Sequence, residues 1–491
     1  MRQRFIQSFP TSQDIQTALD NKELGKPYVA LSREEPSIDW NTKEIDYTGM
    51  PLTFEIISGG TIGLMGYFNS KTKYEYQING GEIVTGQAAG NVYTNISLNA
   101  GDVIKIRGFK NTQNGGLSVN PDADLVFNIY GNVASLGSTF VSLGLAGKHV
   151  INAENLVMLD PNFSCYNLFS GCTDLIIPPK TVISKDCNQM FYKCTSLTKA
   201  PELPATELGR GCYSEMFYGC TSLTTPPKLP ATTLTDNCYD SMFFGCTSLT
   251  QAPELPATRL AQYCYKFMFF ECSFVQAPKL PATTLANNCY DSMFRGCTSL
   301  TQAPELPATE LASSCYEQMF NGCTSLEQAP ELPATELASS CYEQMFNGCT
   351  SLEQAPELPA TILTTRCYSG MFSGCTSLTT PPKLPATTLT DNCYYGMFFG
   401  CTSLTQAPEL PATNLANNCY NFMFWGCTNL NYVKAMFTTT PGRSYTRDWL
   451  TGVAKNGTFV KNPEATWDTD ETFARGSSTV PTNWTVENAE I

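Results

Sequence analysis

Histidine is almost absent: His149 is the only one in 491 residues. One imidazole cannot serve a recurring acid–base role, and no G-x-S-x-G, H-E-x-x-H or phosphate-cradling glycine loop accompanies it. No catalytic residue, no cofactor and no metal site is expected, so the chain is read as a protein that is not an enzyme. Charge is sparse too, at 15% of residues, with a formal net charge of -14. The 30 basic residues are scattered and outnumbered by 44 acidic ones. That excludes nucleic acid as the expected partner, because phosphate backbones need clustered Lys and Arg. Long apolar runs are also missing. No stretch approaches the ~18 uninterrupted apolar residues that suggest a membrane-spanning helix, and MRQRFIQSFPTSQDIQTALD lacks the apolar core and cleavage site of a secretory signal. The expectation is a protein made in the cytoplasm without membrane insertion.

What is abundant is cysteine. The chain carries 22, all between Cys165 and Cys427, in eleven pairs. The second members sit at Cys172, Cys194, Cys220, Cys246, Cys272, Cys297, Cys323, Cys349, Cys375, Cys401 and Cys427, at intervals of 22 and then 26 apart from a single 25. Period therefore organises these residues, as in a tandem array. The unit reads C-Y-x-x-M-F-x-G-C-T-S-L-T-x-A-P-x-L-P-A-T-x-L, for instance from Cys212 to Leu234 or from Cys393 to Leu415. Residues 301 to 326 and 327 to 352 differ only at Thr301 against Glu327, which points to recent duplication.

Each unit divides in two. Cys-Tyr-x-x-Met-Phe places apolar groups at helical spacing and ends two residues later in a glycine such as Gly296 or Gly322, so a short helix with a C-terminal glycine is expected. Thr-Ser-Leu-Thr-x-Ala-Pro-x-Leu-Pro alternates and is punctuated by proline, which fits a short extended segment at a bulge or edge. Neither element buries its apolar face alone, so stacking on neighbours supplies the core.

The thiols have three readings. A helical segment would hold Cys212 and Cys220 about 12 Å apart, beyond the roughly 7 Å reach of a disulfide, so a bridge within a unit requires a non-helical segment. Bridges between units would break a uniform period. Zinc needs closer ligands such as C-x-x-C. Buried free thiols acting as small core residues are the preferred reading, with Cys220, Cys246, Cys272, Cys297, Cys323, Cys349, Cys375, Cys401 and Cys427 as a structural ladder. Glu305, Glu331 and Glu357 share a position with Lys228, Lys279 and Lys383, which reads as a solvated face of mixed charge.

Positions that vary inside a fixed frame are the candidate binding residues. Two residues before the second cysteine stand Tyr218, Phe244, Phe270, Arg295, Asn321, Asn347, Ser373, Phe399 and Trp425, and neighbouring positions add Phe267, Tyr395 and Phe422. Aromatics gather toward both ends of the array, where exposed rings would suit a partner protein or the face of a sugar. The competing reading packs them under a cap or a neighbouring domain.

The flanks differ from the array. Residues 49–135 hold PLTFEIIS, KYEYQING, GEIVTG, YTNISL, DVIKIRGF and DLVFNIYG, alternating segments that read as a small antiparallel β-sandwich, with Asn79-Gly80-Gly81 as a hairpin signal. Residues 1–48 read as an anchoring arm with one short helix over 13–21 capped by Thr11 or Ser12. Residues 136–164 read as a linker and N-terminal cap, 165–430 as the repeat array, and 431–491, with TGVAKNGTFVKNP and VPTNWTVENAEI, as a C-terminal β cap.

The recurring M-F-x-G-C-T-S-L-T core resembles the BspA-like leucine-rich repeats found in gut bacteria and their phages, over about residues 151 to 491. This resemblance implies a leucine-rich-repeat solenoid, mostly β with short helices, of 26-residue units. Its Met-Phe pair and its length depart from the commoner 23-residue pattern of that family. LGKPYVALS followed by IDWN is similar to openings of structural proteins of crAss-like phages. Together the resemblances imply a virion accessory or fibre protein, anchored to other virion proteins through residues 1–48. The solenoid would bind a host surface glycan or protein, and a fibre of this kind would be a homo-oligomer. A bacterial cell-surface adhesin and an intracellular scaffold are the alternatives.

Overall fold

The computed structural model describes residues 52–66, 71–89, 92–108, 117–133, 142–158, 164–466 and 480–490. The arm at 1–48, with its expected helix and its phage-like opening, lies outside the described residues. The chain divides into two compact units: Met1–Pro204 with Met216–Pro227, and Ala205–Glu215 with Lys228–Ile491.

The first unit begins with two sheets. One has the order β10-β8-β1-β6-β3-β4 with β11 beside β8, from β1 (Leu52–Ser58), β3 (Lys71–Ile78), β4 (Val84–Ala89), β6 (Val103–Gly108), β8 (Val126–Val133), β10 (His149–Asn152) and β11 (Leu156–Met158). The other has the order β5-β2-β7-β9, from β2 (Gly60–Gly66), β5 (Thr94–Leu98), β7 (Leu117–Pro121) and β9 (Ser142–Leu143). Register places Phe54 opposite Ile104 on one side and Ile129 on the other, and all three are buried. Phe54 and Phe127 add a tilted ring pair at 5.2 Å. The Asn-Gly signal forms its turn: Asn79 and Gly80 have φ of 52° and 70°, as a type I′ hairpin demands, and β3 pairs antiparallel with β4. The stretch read as linker, 136–164, itself supplies β9, β10 and β11, each joining its sheet in parallel.

Among the described residues no helix occurs, so the short helices expected in each unit are not formed. The segment from Cys315 to Cys323 shows what replaces them. Cys315, Glu317, Met319, Asn321 and Cys323 each donate their N–H three residues back, to Ala312, Ser314, Tyr316, Gln318 and Phe320. The intervening Ser314, Tyr316, Gln318, Phe320 and Gly322 donate instead to Ser339, Cys341, Glu343, Met345 and Asn347 of the next unit. Backbone donors thus alternate between a local turn and the neighbouring unit, which an α-helix with its i→i−4 bonds cannot do. Every fourth residue is left-handed: Ser314 at 53°, Gln318 at 53° and Gly322 at 74°. The spacing C-Y-x-x-M-F-x-x-C fits this four-residue period as well as the 3.6 of a helix, which is why the sequence suggested a helix.

These turns bury two residues in four. Cys315, Tyr316, Met319, Phe320 and Cys323 are at most 1% exposed. Equivalent side chains meet between units: Phe320 stacks on Phe294 at 5.7 Å and on Phe346 at 5.6 Å, while Tyr316 lies 5.8 Å from both Tyr290 and Tyr342. The extended half contributes single parallel bridges, such as Gln302 to Gln276 and Gln328, and Glu310 to Thr284. Pro304 and Pro307 between them remove the donors a continuous strand would need. Where proline is absent the bridges lengthen: β12 (Tyr432–Ala435), β13 (Thr458–Lys461) and β14 (Thr485–Asn488) form a parallel sheet in that order, and Tyr432 bridges to Gln406 of the last proline-containing unit. Trp449, 1% exposed, closes this end against Tyr420, Phe437 and Phe459.

Candidate binding surface

The cysteine ladder belongs to the interior. All 22 cysteines are buried and none is in a disulfide, although the non-helical turn lifts the distance argument against a bridge within a unit. The second cysteines are held by a repeated contact, with Cys297, Cys323, Cys349, Cys375 and Cys427 donating Sγ–H to the carbonyls of Phe269, Phe294, Phe320, Phe346 and Phe398 at 3.0–3.1 Å. Cys220, Cys272 and Cys401 do the same to Phe191, Phe243 and Phe372 at 3.0–3.2 Å, and Cys246 is likewise buried. Burial pushes these thiols up, to about 12 for Cys297, Cys375 and Cys427, so they stay protonated and inert. Glu305, Glu331 and Glu357, with Lys228, Lys279 and Lys383, are exposed.

The eight aromatic candidates separate by exposure. Tyr395, Phe399 and Trp425 are open to solvent at 38%, 36% and 39%; Tyr218, Phe244, Phe267, Phe270 and Phe422 are half-buried. In the first unit Tyr218 stacks on Tyr192 at 4.9 Å. In the second, Phe244 stacks on Phe270 at 4.3 Å, and Phe267 meets Phe270 edge-on at 5.9 Å. Cations cover this group: Arg295 lies 5.6 Å from the Phe270 ring, and Lys266 lies 5.0 Å from Phe267 while pairing with Asp291 at 2.9 Å. Arg295 stands among the varying positions of the sequence and Lys266 does not, but only the stacking brings either one over the rings.

A second group is more open. Phe399 stacks on Trp425 at 4.5 Å, Tyr395 meets Phe422 edge-on at 5.5 Å, and Arg447 lies over Phe422 at 5.5 Å. Beside it runs a groove of about 590 Å³ whose lining includes Tyr395, Phe399 and Phe422 with Gln344, Gly370 and Gly396. Gln344, Gly370, Gly396 and Phe422 occupy one position in four successive units, and Glu343, Asn347, Arg366 and Asn392 add polar side chains. Phe422 and Phe267 are left-handed at 60° and 50°, the conformation that the regular turn imposes at this position in every unit. The carboxyls of Asp240 and Glu317, at the position that Tyr395 fills in its own unit, are raised by burial.

The BspA type leucine rich repeat region family matches residues 164–252, 211–353 and 313–445, in six copies. The chain belongs to that family. No curated protein matches it. The BspA-type repeats therefore coincide with the stacked turns, and the open aromatic group lies inside the matched region.

Proposed function

We propose that this BspA-type repeat protein is a binding protein and not an enzyme: a virion accessory or fibre component that meets a host surface glycan or protein. In this reading residues 1–48 anchor it to other virion proteins, a β-sandwich at 49–135 is a spacer, and a repeat solenoid at 165–430 presents the binding face. The observation that carries the binding role is the open group of Tyr395, Phe399 and Trp425 beside a polar groove. These rings pack on one another or on Phe422 yet keep more than a third of their surface in water, and a cluster of partly exposed aromatics suits an interaction site. The virion assignment rests on the phage-like opening. The lack of disulfides adds support, since 22 unbridged cysteines suit folding in a reducing cytoplasm, where phage proteins are made, better than an exported adhesin.

Mass spectrometry of purified virions from a phage encoding the chain, with electron microscopy of labelled particles, tests this. Defined copy number on the particle is the expected result. Absence from the particle would transfer the binding role to a bacterial surface adhesin.

A further inference from the structure

The position shared by Gln344, Gly370, Gly396 and Phe422 is left-handed in each unit, with φ of 54°, 60°, 56° and 60°. Other units fill it with Ser241, Phe267, Ser292 and Gln318 in the same conformation, at 50–55°. The backbone therefore accepts a side chain here, and two successive glycines leave two side chains out. The groove follows that gap. The gap runs between Gln344 on one side and Phe422 on the other; the Gln344 side chain leans over Gly370, and the Gly396 end is the open one. A Cβ on Gly396 would find nothing nearer than Phe399 Cβ at 4.0 Å, while one on Gly370 would meet Gln344 Cγ at 3.0 Å.

We infer that the Gly370–Gly396 gap is a specificity pocket for the end of a neutral oligosaccharide, one or two pyranose rings long. This rests on the binding role proposed above and names its ligand class. The volume of about 590 Å³ falls in the range of small-molecule sites, roughly 300–1,000 Å³. A concave site of this size takes a small polar ligand end, whereas a folded partner spreads over about 800 Å² on each side. The exposed rings of Tyr395 and Phe399 offer apolar faces for sugar C–H groups. Gln344, Asn347, Ser373 and Asn392 offer amides and a hydroxyl for sugar hydroxyls. One acid, Glu343, and one base, Arg366, line the groove, so its charge is balanced and a polyanionic glycan has no basic cluster to meet.

The test uses the full chain, Gly396→Gln and Gly370→Gln, with Gly396→Ser held in reserve because Ser241 and Ser292 already occupy this position. Cellobiose, lactose, maltose and N,N′-diacetylchitobiose serve as probes, followed by saturation-transfer NMR and titration, with binding of labelled protein to host cells measured in parallel. At least one disaccharide is expected to bind the parent chain and to bind Gly396→Gln about tenfold more weakly or worse, with the fold retained in circular dichroism and only the small loss of melting temperature that a side chain at a left-handed position carries. Equal disaccharide binding by parent and variants, or cell binding without any disaccharide binding, overturns the pocket and leaves the surface-binding role standing. A parent chain that binds neither sugars nor cells overturns both.

Discussion

Raising the pH should unfold this protein through its thiols and phenols before they titrate in place. Cys375 is fully buried and its thiol is pushed from an ordinary 9.0 to about 12. Burial is the main cause; hydrogen bonding opposes it only in part. Because the folded value lies above the unfolded one, the folded protein keeps a proton that the unfolded chain releases. The stabilisation is whole below pH 9.0 and is lost as pH climbs toward about 12. Three units correspond to about 4 kcal/mol for this thiol alone, against a typical domain stability of about 5–15 kcal/mol. Cys297, Cys315 and Cys427 are raised to the same value, and burial raises Tyr316, Tyr342 and Tyr368 above their ordinary 10.0. The assay is circular dichroism and tyrosinate absorbance followed together from neutral pH upward, with iodoacetamide labelling read by mass spectrometry. Loss of structure should coincide with the rise of tyrosinate, between pH 9.0 and about 12. At about pH 8 the thiolate of a residue like Cys375 is about a thousandfold rarer than that of a free thiol, so native labelling should be negligible until denaturant is added. Rapid labelling of several cysteines in the folded protein, or full tyrosinate formation with the circular dichroism unchanged, would refute the reasoning.

Gly322→Ala places its Cβ no nearer than 3.8 Å to the Gly296 backbone, so only the left-handed backbone at 74° opposes it; a loss of about 1–2 kcal/mol is expected in urea unfolding. Ser340→Gly, at 55°, should move stability the opposite way. Phe320→Ala, with 0% exposure and rings on both sides, should cost about 3–5 kcal/mol. Trp425→Ala should stay within about 1 kcal/mol while weakening host-cell binding, and a loss as large as that of Phe320→Ala would assign Trp425 to the core. Deleting residues 327–352 should leave a folded protein, because Gln302 bridges Gln328 as Gln354 bridges Thr380 and one whole unit is removed in register; aggregation on expression would refute this. Lowering the pH should weaken the β2–β7 pair through Asp122, which follows β7 and accepts from Thr61 of β2. Burial alone would raise this carboxyl, but hydrogen bonds from the Thr61 hydroxyl and the Thr61, Leu125 and Asp124 N–H groups hold it below its ordinary 3.8. Its contribution is present above that pH and lost below it, and Asp122→Asn should remove the dependence in an acid melt.

The period, the identity of the buried columns and the hairpin at Asn79-Gly80 were legible in the sequence, because each depends on local chemistry: repeated apolar positions, or a turn that demands positive φ. The family was legible for the same reason, since M-F-x-G-C-T-S-L-T recurs almost unchanged. The secondary structure of the Cys-Tyr-x-x-Met-Phe segment was not. Eight residues cannot separate a period of four from one of 3.6, and the deciding hydrogen bonds run to a neighbouring unit that exists only once the chain has stacked. Tertiary structure alone also sorted the aromatic candidates. Phe270 and Phe267 gain cations from Arg295 and Lys266, whereas Phe399 and Trp425 stack together and stay open. The glycines at 370 and 396 stood in plain view, but a missing side chain becomes a groove only when units on both sides supply the walls.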